Sequence, residues 1–81
     1  MRITLRMFAI LRERSGISQM EIELRDGATV AAAIKQVGQQ FAGIADLLPR
    51  TAAAVNLNYA KPAYVLRDGD ELALIPPVSG G

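Results

Sequence analysis

The stretch LRDGDELALIPPVSGG, residues 66–81, contains a turn, a strand and a strand-stopper. RDGDE (67–71) has the Asp and Gly of a tight turn. ELALI (71–75) then reads as a strand with Leu72 and Leu74 inward and Ile75 outward. Pro76 and Pro77 end it, because proline has no N–H to give to a ladder and its ring fixes φ. A strand this late in the chain must find its neighbours among earlier elements, so the sheet has to be sought upstream.

The matching strand lies at the other end. In RITLRMF (2–8), Ile3, Leu5 and Met7 alternate with Arg2, Thr4 and Arg6, the period-2 pattern of a half-buried strand, and Phe8 falls on the solvent side of that count. AILRERSG (9–16) reads as a short helix ended by Gly16, which tolerates the left-handed conformation. QMEIEL (19–24) alternates again, with Met20, Ile22 and Leu24 inward, and RDG (25–27) turns the chain. Thr29 is the expected N-cap of the main helix, VAAAIKQVGQQF (30–41), whose apolar stripe is Val30, Ala33, Ile34, Val37 and Phe41. Gly38 weakens that helix slightly and allows close packing. AGIADLLPR (42–50) is expected as a turn or short helix stopped by Pro49. TAAAVNLN (51–58) follows as a short strand that leads into a turn at NLNY (56–59), which places Tyr59 in a loop. KPAYVL (61–66) fits an edge strand or an extended loop, since Pro62 cannot donate to a ladder.

The order strand, strand, helix, then two or three short strands predicts an α+β fold: a mixed sheet with one main helix across a face. The first and last strands are both apolar, and the chain between them is long enough to cross over, so they are expected side by side at the centre. That is the β-grasp, ubiquitin-like arrangement, with a domain over residues 1–75 and an extended tail over 76–81.

Composition narrows the chemistry. The 81 residues suffice for one domain, and they include neither cysteine nor histidine. This excludes disulfides, thiolate metal sites and a cysteine nucleophile, and removes the side chain most often used as a general base or metal ligand near neutral pH. No bound metal or cofactor is expected. Nine Lys and Arg against eight Asp and Glu give a net charge of +1, scattered along the chain, so there is no electrostatic footprint for nucleic acid or an anionic membrane. Arg6, Arg12, Glu13 and Arg14 break the apolar opening too soon for a signal peptide, and no segment approaches the roughly 18 apolar residues of a membrane span. A cytoplasmic protein without a targeting segment is expected.

The tail is the remaining chemical feature. Pro76 and Pro77 favour an extended backbone that loses little entropy when fixed, Val78 and Ser79 are small, and Gly80 and Gly81 have no side chain. Together they form a stiff base carrying a slender probe suited to a narrow channel in another protein. Its reactive group would be the main-chain carboxylate of Gly81. A carboxylate is a poor electrophile, but joined to AMP it gains a good leaving group that a sulfur or nitrogen nucleophile can displace. The catalytic residues would then belong to partners, and this chain would be a carrier with no active site of its own.

AAVN (53–56), LRDGDELALIPPVSGG (66–81) and RMFAILRERSG (6–16) together resemble the small, sulfur-carrier subunit family of molybdopterin synthase, over essentially the whole chain. The resemblance implies a β-grasp fold whose terminal glycine, Gly81 here with Gly80 before it, is adenylated and converted to a thiocarboxylate. The adenylating partner is a ubiquitin-activating-like adenylyltransferase that uses ATP, and a sulfur donor protein supplies the sulfur. The tail then enters the large, catalytic subunit, gives its sulfur to cyclic pyranopterin monophosphate and so makes the dithiolene of molybdopterin. The DGDE loop and the prolines match the family pattern and also have a structural reading. Two small subunits at opposite ends of a large-subunit dimer are the implied assembly. Phe8 and Ile75, on the side away from the main helix by strand parity, and Tyr59, from a loop that joins them if the first and last strands are neighbours, are expected to bind the partner together with Pro76, Pro77, Val78 and Ser79. The chain departs from the family where an aromatic often precedes the paired prolines, here Ile75, and where an apolar residue is common after AVN, here Tyr59. Three alternatives stay open: the sulfur carrier of thiazole (thiamine) synthesis, a ubiquitin-like modifier that joins its terminal glycine to lysines, and an interaction domain with an inert tail.

Overall fold

The computed structural model describes residues 1–77, so the expectations for Val78, Ser79, Gly80 and Gly81 lie outside the described residues. In chain order the elements are β1 (Arg2–Met7), α1 (Ala9–Ser15), β2 (Gln19–Glu23), α2 (Val30–Gln40), two 3-10 turns (Ala42–Ile44 and Leu48–Arg50), β3 (Ala52–Val55), β4 (Asn58–Tyr59) and β5 (Glu71–Ile75). The strands form one sheet in the order β2-β1-β5-β3-β4. β1 and β5 are parallel neighbours at its centre, as the sequence predicts, and the other pairs are antiparallel.

The alternation in β1 and β5 sets the layers. Leu5 lies opposite Leu72 and Met7 opposite Leu74, and all four are buried. They join Val30, Ala33 and Val37 of α2 in one cluster, with Leu11, Ile44 and Leu66 closing its margins. The 67–70 turn fixes the register. Gly69, at φ +86, donates its N–H to the Arg2 carbonyl at 2.8 Å, Arg2 donates its N–H to Asp68 Oδ1 at 2.8 Å, and Thr4 donates to the Asp70 carbonyl at 2.9 Å. The last strand is therefore hydrogen-bonded to the first before their ladder begins.

The start of α2 shows why KPAYVL is a loop. A helix leaves its first N–H groups without internal partners. Here Thr29 Oγ1 accepts from the Ala32 N–H at 3.2 Å, while the carbonyls of Tyr64 and Pro62 accept from Val30 and Ala31, each at 2.9 Å. The segment pairs as a strand only at the single bridge between Thr29 and Val65. At the other end Phe41 is the C-cap, one residue past the last helical position, and is half-buried. At Gly38 a Cβ would stand 3.0 Å from Leu48 Cδ1, so the glycine admits the second 3-10 turn.

Two expectations need correction. Pro49 does not stop its segment but sits within the Leu48–Arg50 turn, because the missing N–H of proline is harmless in a first helical turn. Tyr59 is not in a loop: the chain reverses in the two residues Asn56 and Leu57, and Tyr59 belongs to β4, opposite Ala54. Both turn residues have positive φ, +49 and +73, as a two-residue hairpin requires to match the twist of its strands. Among the described residues no helix is long and apolar enough to cross a membrane.

Thr29→Ala removes one cap acceptor but leaves the two donors satisfied by the 62–64 carbonyls, so its cost is about 1 kcal/mol. The expected outcome in thermal unfolding is a melting temperature lower by roughly 4–8 °C, with the transition still cooperative.

Candidate functional site

Cross-strand neighbours share a face, so the register defines what the side of the sheet away from α2 presents. Gln19 lies opposite Arg6, Arg6 opposite Ala73, Ala73 opposite Ala54 and Ala54 opposite Tyr59. These five form a transverse row on the outer face. One row towards the tail, Ile75 lies opposite Ala52, and Phe8 continues β1 one residue beyond the pair Met7 and Leu74. Ala54 and Ala73 are buried yet stand outside the core cluster. They make a low floor of methyl groups with larger apolar groups around it. Tyr59 is 79% exposed, Phe8 37% exposed and Ile75 half-buried.

Phe8 and Ile75 thus meet at one corner, where the chain leaves β5 through half-buried Pro76 and exposed Pro77. Tyr59 stands on the same face three strands from β1, about 14 Å away at a strand spacing of about 4.8 Å. The structure puts Phe8 and Ile75 on one side, as strand parity predicts, and Tyr59 reaches the same side from β4 rather than from a loop. Val78, Ser79, Gly80 and Gly81 lie beyond the described residues.

Charge surrounds the apolar floor on the β1 and β2 side. The Arg6 guanidinium carbon lies 5.4 Å from the centroid of the Phe8 ring, and Arg6 Nη1 is 3.8 Å from Glu71 Oε1. Such stacking at an exposed ring contributes about 0.5–1 kcal/mol. Further along β1, Arg2 donates to Glu23 Oε1 at 3.1 Å and lies 3.9 Å from Glu21. The hydrogen bond to Glu23, and then the charges of Glu21 and Glu23, hold the Arg2 guanidinium above its ordinary pKa.

The one buried charged side chain among the described residues is structural. Asp70 accepts from the Asn56 Nδ2 at 2.9 Å and from the Arg67 N–H at 2.8 Å, while Asn56 Oδ1 accepts from the Glu71 N–H at 2.9 Å. This network ties the β3–β4 turn to the start of β5. Among the described residues no three His, Cys, Asp or Glu side chains gather into a group able to hold a metal ion. The described outer face presents shape, apolar area and a few charges.

Sequence reasoning passed over Ala52, Ala54, Ala73, Arg6 and Leu57. For Ala73 the signal was present, since the alternation that turns Leu72 and Leu74 inward turns Ala73 outward.

The parallel central pair, the crossing helix and the outer apolar face define a ubiquitin-like β-grasp protein. Residues 5–81 match the ThiS family, and the chain belongs to that family. A relative from Chlamydomonas reinhardtii, named molybdopterin synthase sulfur carrier subunit, is 35% identical over an 83-residue alignment that covers all of both chains. The crystal structure of small archaeal modifier protein 1 from H. volcanii superposes with a TM-score of 0.86 at 25% identity, over 95% of this chain and 98% of that one. A chain of the Amycolatopsis orientalis BexX/CysO complex is 30% identical with a TM-score of 0.70, over 98% of this chain and 99% of that one.

Because Phe8 stands outside the core cluster, Phe8→Ala is expected to lower stability by about 1 kcal/mol or less. Leu5→Ala, which empties a fully buried position at the centre of the sheet, is expected to cost about 2–5 kcal/mol. Denaturant unfolding of the two variants measures the contrast directly.

Proposed function

We propose that this chain is the sulfur carrier of molybdopterin synthase, and that its reacting group is the main-chain carboxylate of Gly81. The observation that carries this reading is the end-to-end match to a relative named for that role. A supporting one is the exit of the tail from the corner where Phe8 and Ile75 meet, so that a partner covering the outer face is adjacent to the tail.

The chemistry proceeds in balanced steps. A ubiquitin-activating-like adenylyltransferase supplies ATP, the Gly81 carboxylate attacks its α-phosphorus, and pyrophosphate leaves. Hydrosulfide delivered by a donor protein then attacks the glycyl carbonyl, AMP departs with the carboxylate oxygen, the sulfur loses its proton, and a thiocarboxylate results. Inside the large subunit the thiocarboxylate sulfur displaces an oxygen substituent from a carbon of cyclic pyranopterin monophosphate, water hydrolyses the resulting glycyl thioester and restores the carboxylate, and a second charged carrier supplies the other dithiolene sulfur. The glycines serve by absence: a Cβ beside the reacting carbon would narrow the approach of each nucleophile. Pro76 and Pro77 stiffen the base of the tail, which lowers the entropy lost when it is threaded. Phe8, Tyr59 and Ile75 dock on the large subunit, and Val78 and Ser79 enter its channel as part of the tail. Dependence on ATP supports a cytoplasmic location under this reading.

A second reading is a ubiquitin-like modifier that attaches Gly81 to lysine amines. It is favoured by the likeness to small archaeal modifier protein 1. The same adenylate serves both readings; they differ in whether sulfur or nitrogen displaces AMP.

Deleting Gly81, or adding one residue after it, is expected to abolish molybdopterin formation in a reconstituted synthase assay while leaving thermal unfolding unchanged. A truncated chain that supports product formation at the normal rate contradicts the proposal.

A further inference from the structure

Leu57 is an anomaly in both conformation and burial. It occupies the second position of the β3–β4 turn with φ +73, where two-residue hairpins favour glycine, and its side chain is 85% exposed. Asn56 has compensation for its own left-handed backbone through the hydrogen bonds to Asp70 and Glu71. For Leu57, Cβ opposes the conformation and burial within the chain returns almost nothing. A strained, apolar, exposed side chain is stabilised by whatever covers it.

The turn lies beside the outer face. Leu57 lines a recess with Arg6, Asn56 and Glu71, at the edge of the outer face described above. Arg6 is also a member of the row that runs through Ala73 and Ala54 to Tyr59, so the recess is continuous with the apolar floor. Its side chain is 40% exposed and makes no hydrogen bond to another described residue; its ion pair with Glu71 is long, at 3.8 Å. An occupant therefore meets an apolar group beside a cation with donors to spare.

We propose that Leu57 is an anchor for the large subunit, with an apolar side chain of that partner packed against Leu57 and a partner carboxylate facing Arg6. The inference rests on the sulfur-carrier reading for the identity of the partner, and it extends the docking face to the tip of the β3–β4 hairpin.

Leu57→Gly separates binding from folding, because glycine suits the turn and lacks the side chain. Calorimetric titration with the cognate large subunit is expected to show affinity lower by about tenfold, while the melting temperature is unchanged or raised. Arg6→Gln is expected to weaken binding at low salt and to flatten its salt dependence. Phe8→Ala is the control for the face as a whole, with an expected loss of about thirtyfold. Affinity of Leu57→Gly within about twofold of the parent, while Phe8→Ala binds poorly, overturns the Leu57 anchor and leaves the sulfur-carrier reading standing. Normal binding by both variants overturns the docking face itself, and the anchor with it. Undiminished salt dependence in Arg6→Gln overturns the carboxylate contact.

Discussion

The parallel pairing of β1 with β5 is the constraint on which the rest depends. Parallel strands cannot be joined by a tight turn, so all the chain from α1 to the 67–70 turn serves as the crossover. The pairing buries Leu5, Met7, Leu72 and Leu74 on one side and places Arg6 beside Ala73 on the other. It also brings Phe8 and Ile75 to one corner, from which Pro76 leads the tail away. A slip of one residue would turn the leucines to solvent and the charges to the core, so the hydrophobic pattern enforces the register strictly.

The sequence was most legible where a single local rule determined the outcome. Period-2 alternation identified β1, β2 and β5 with their buried faces, Gly16 ended α1 in the left-handed conformation, and Thr29 capped α2 through its side chain. It was least legible where distant segments satisfy one another. Nothing local to KPAYVL says that the carbonyls of Pro62 and Tyr64 complete the first turn of α2. Asn56 and Leu57 do not make the Asn-Gly pair that announces a hairpin, and their turn depends on hydrogen bonds from Asn56 to residues on β5 and the preceding turn. Tyr59 was consequently assigned to a loop. The candidate site was legible by parity for Phe8 and Ile75, whereas Leu57 shows itself only once backbone angle and exposure are seen together.

The structure separates three tasks. The core, the cap of α2 and the Asp70 network hold the scaffold. The outer face, under the proposed function, supplies area and charge for recognition, with alanines at its centre that let a partner approach the sheet closely. Under the proposed function the chemistry belongs to the tail, whose main-chain carboxylate needs no neighbouring side chain to act. The absence of histidine and cysteine is no handicap under that proposal, since the reacting group would be the backbone itself.

The most direct measurement is intact and peptide mass spectrometry of the protein isolated from its own cells during active cofactor synthesis. The account predicts a population in which one oxygen of the Gly81 carboxylate is replaced by sulfur, and which returns to the plain carboxylate when the synthase is supplied with cyclic pyranopterin monophosphate. Gly81 found only as a plain carboxylate, or joined to lysine amines of other proteins, contradicts it.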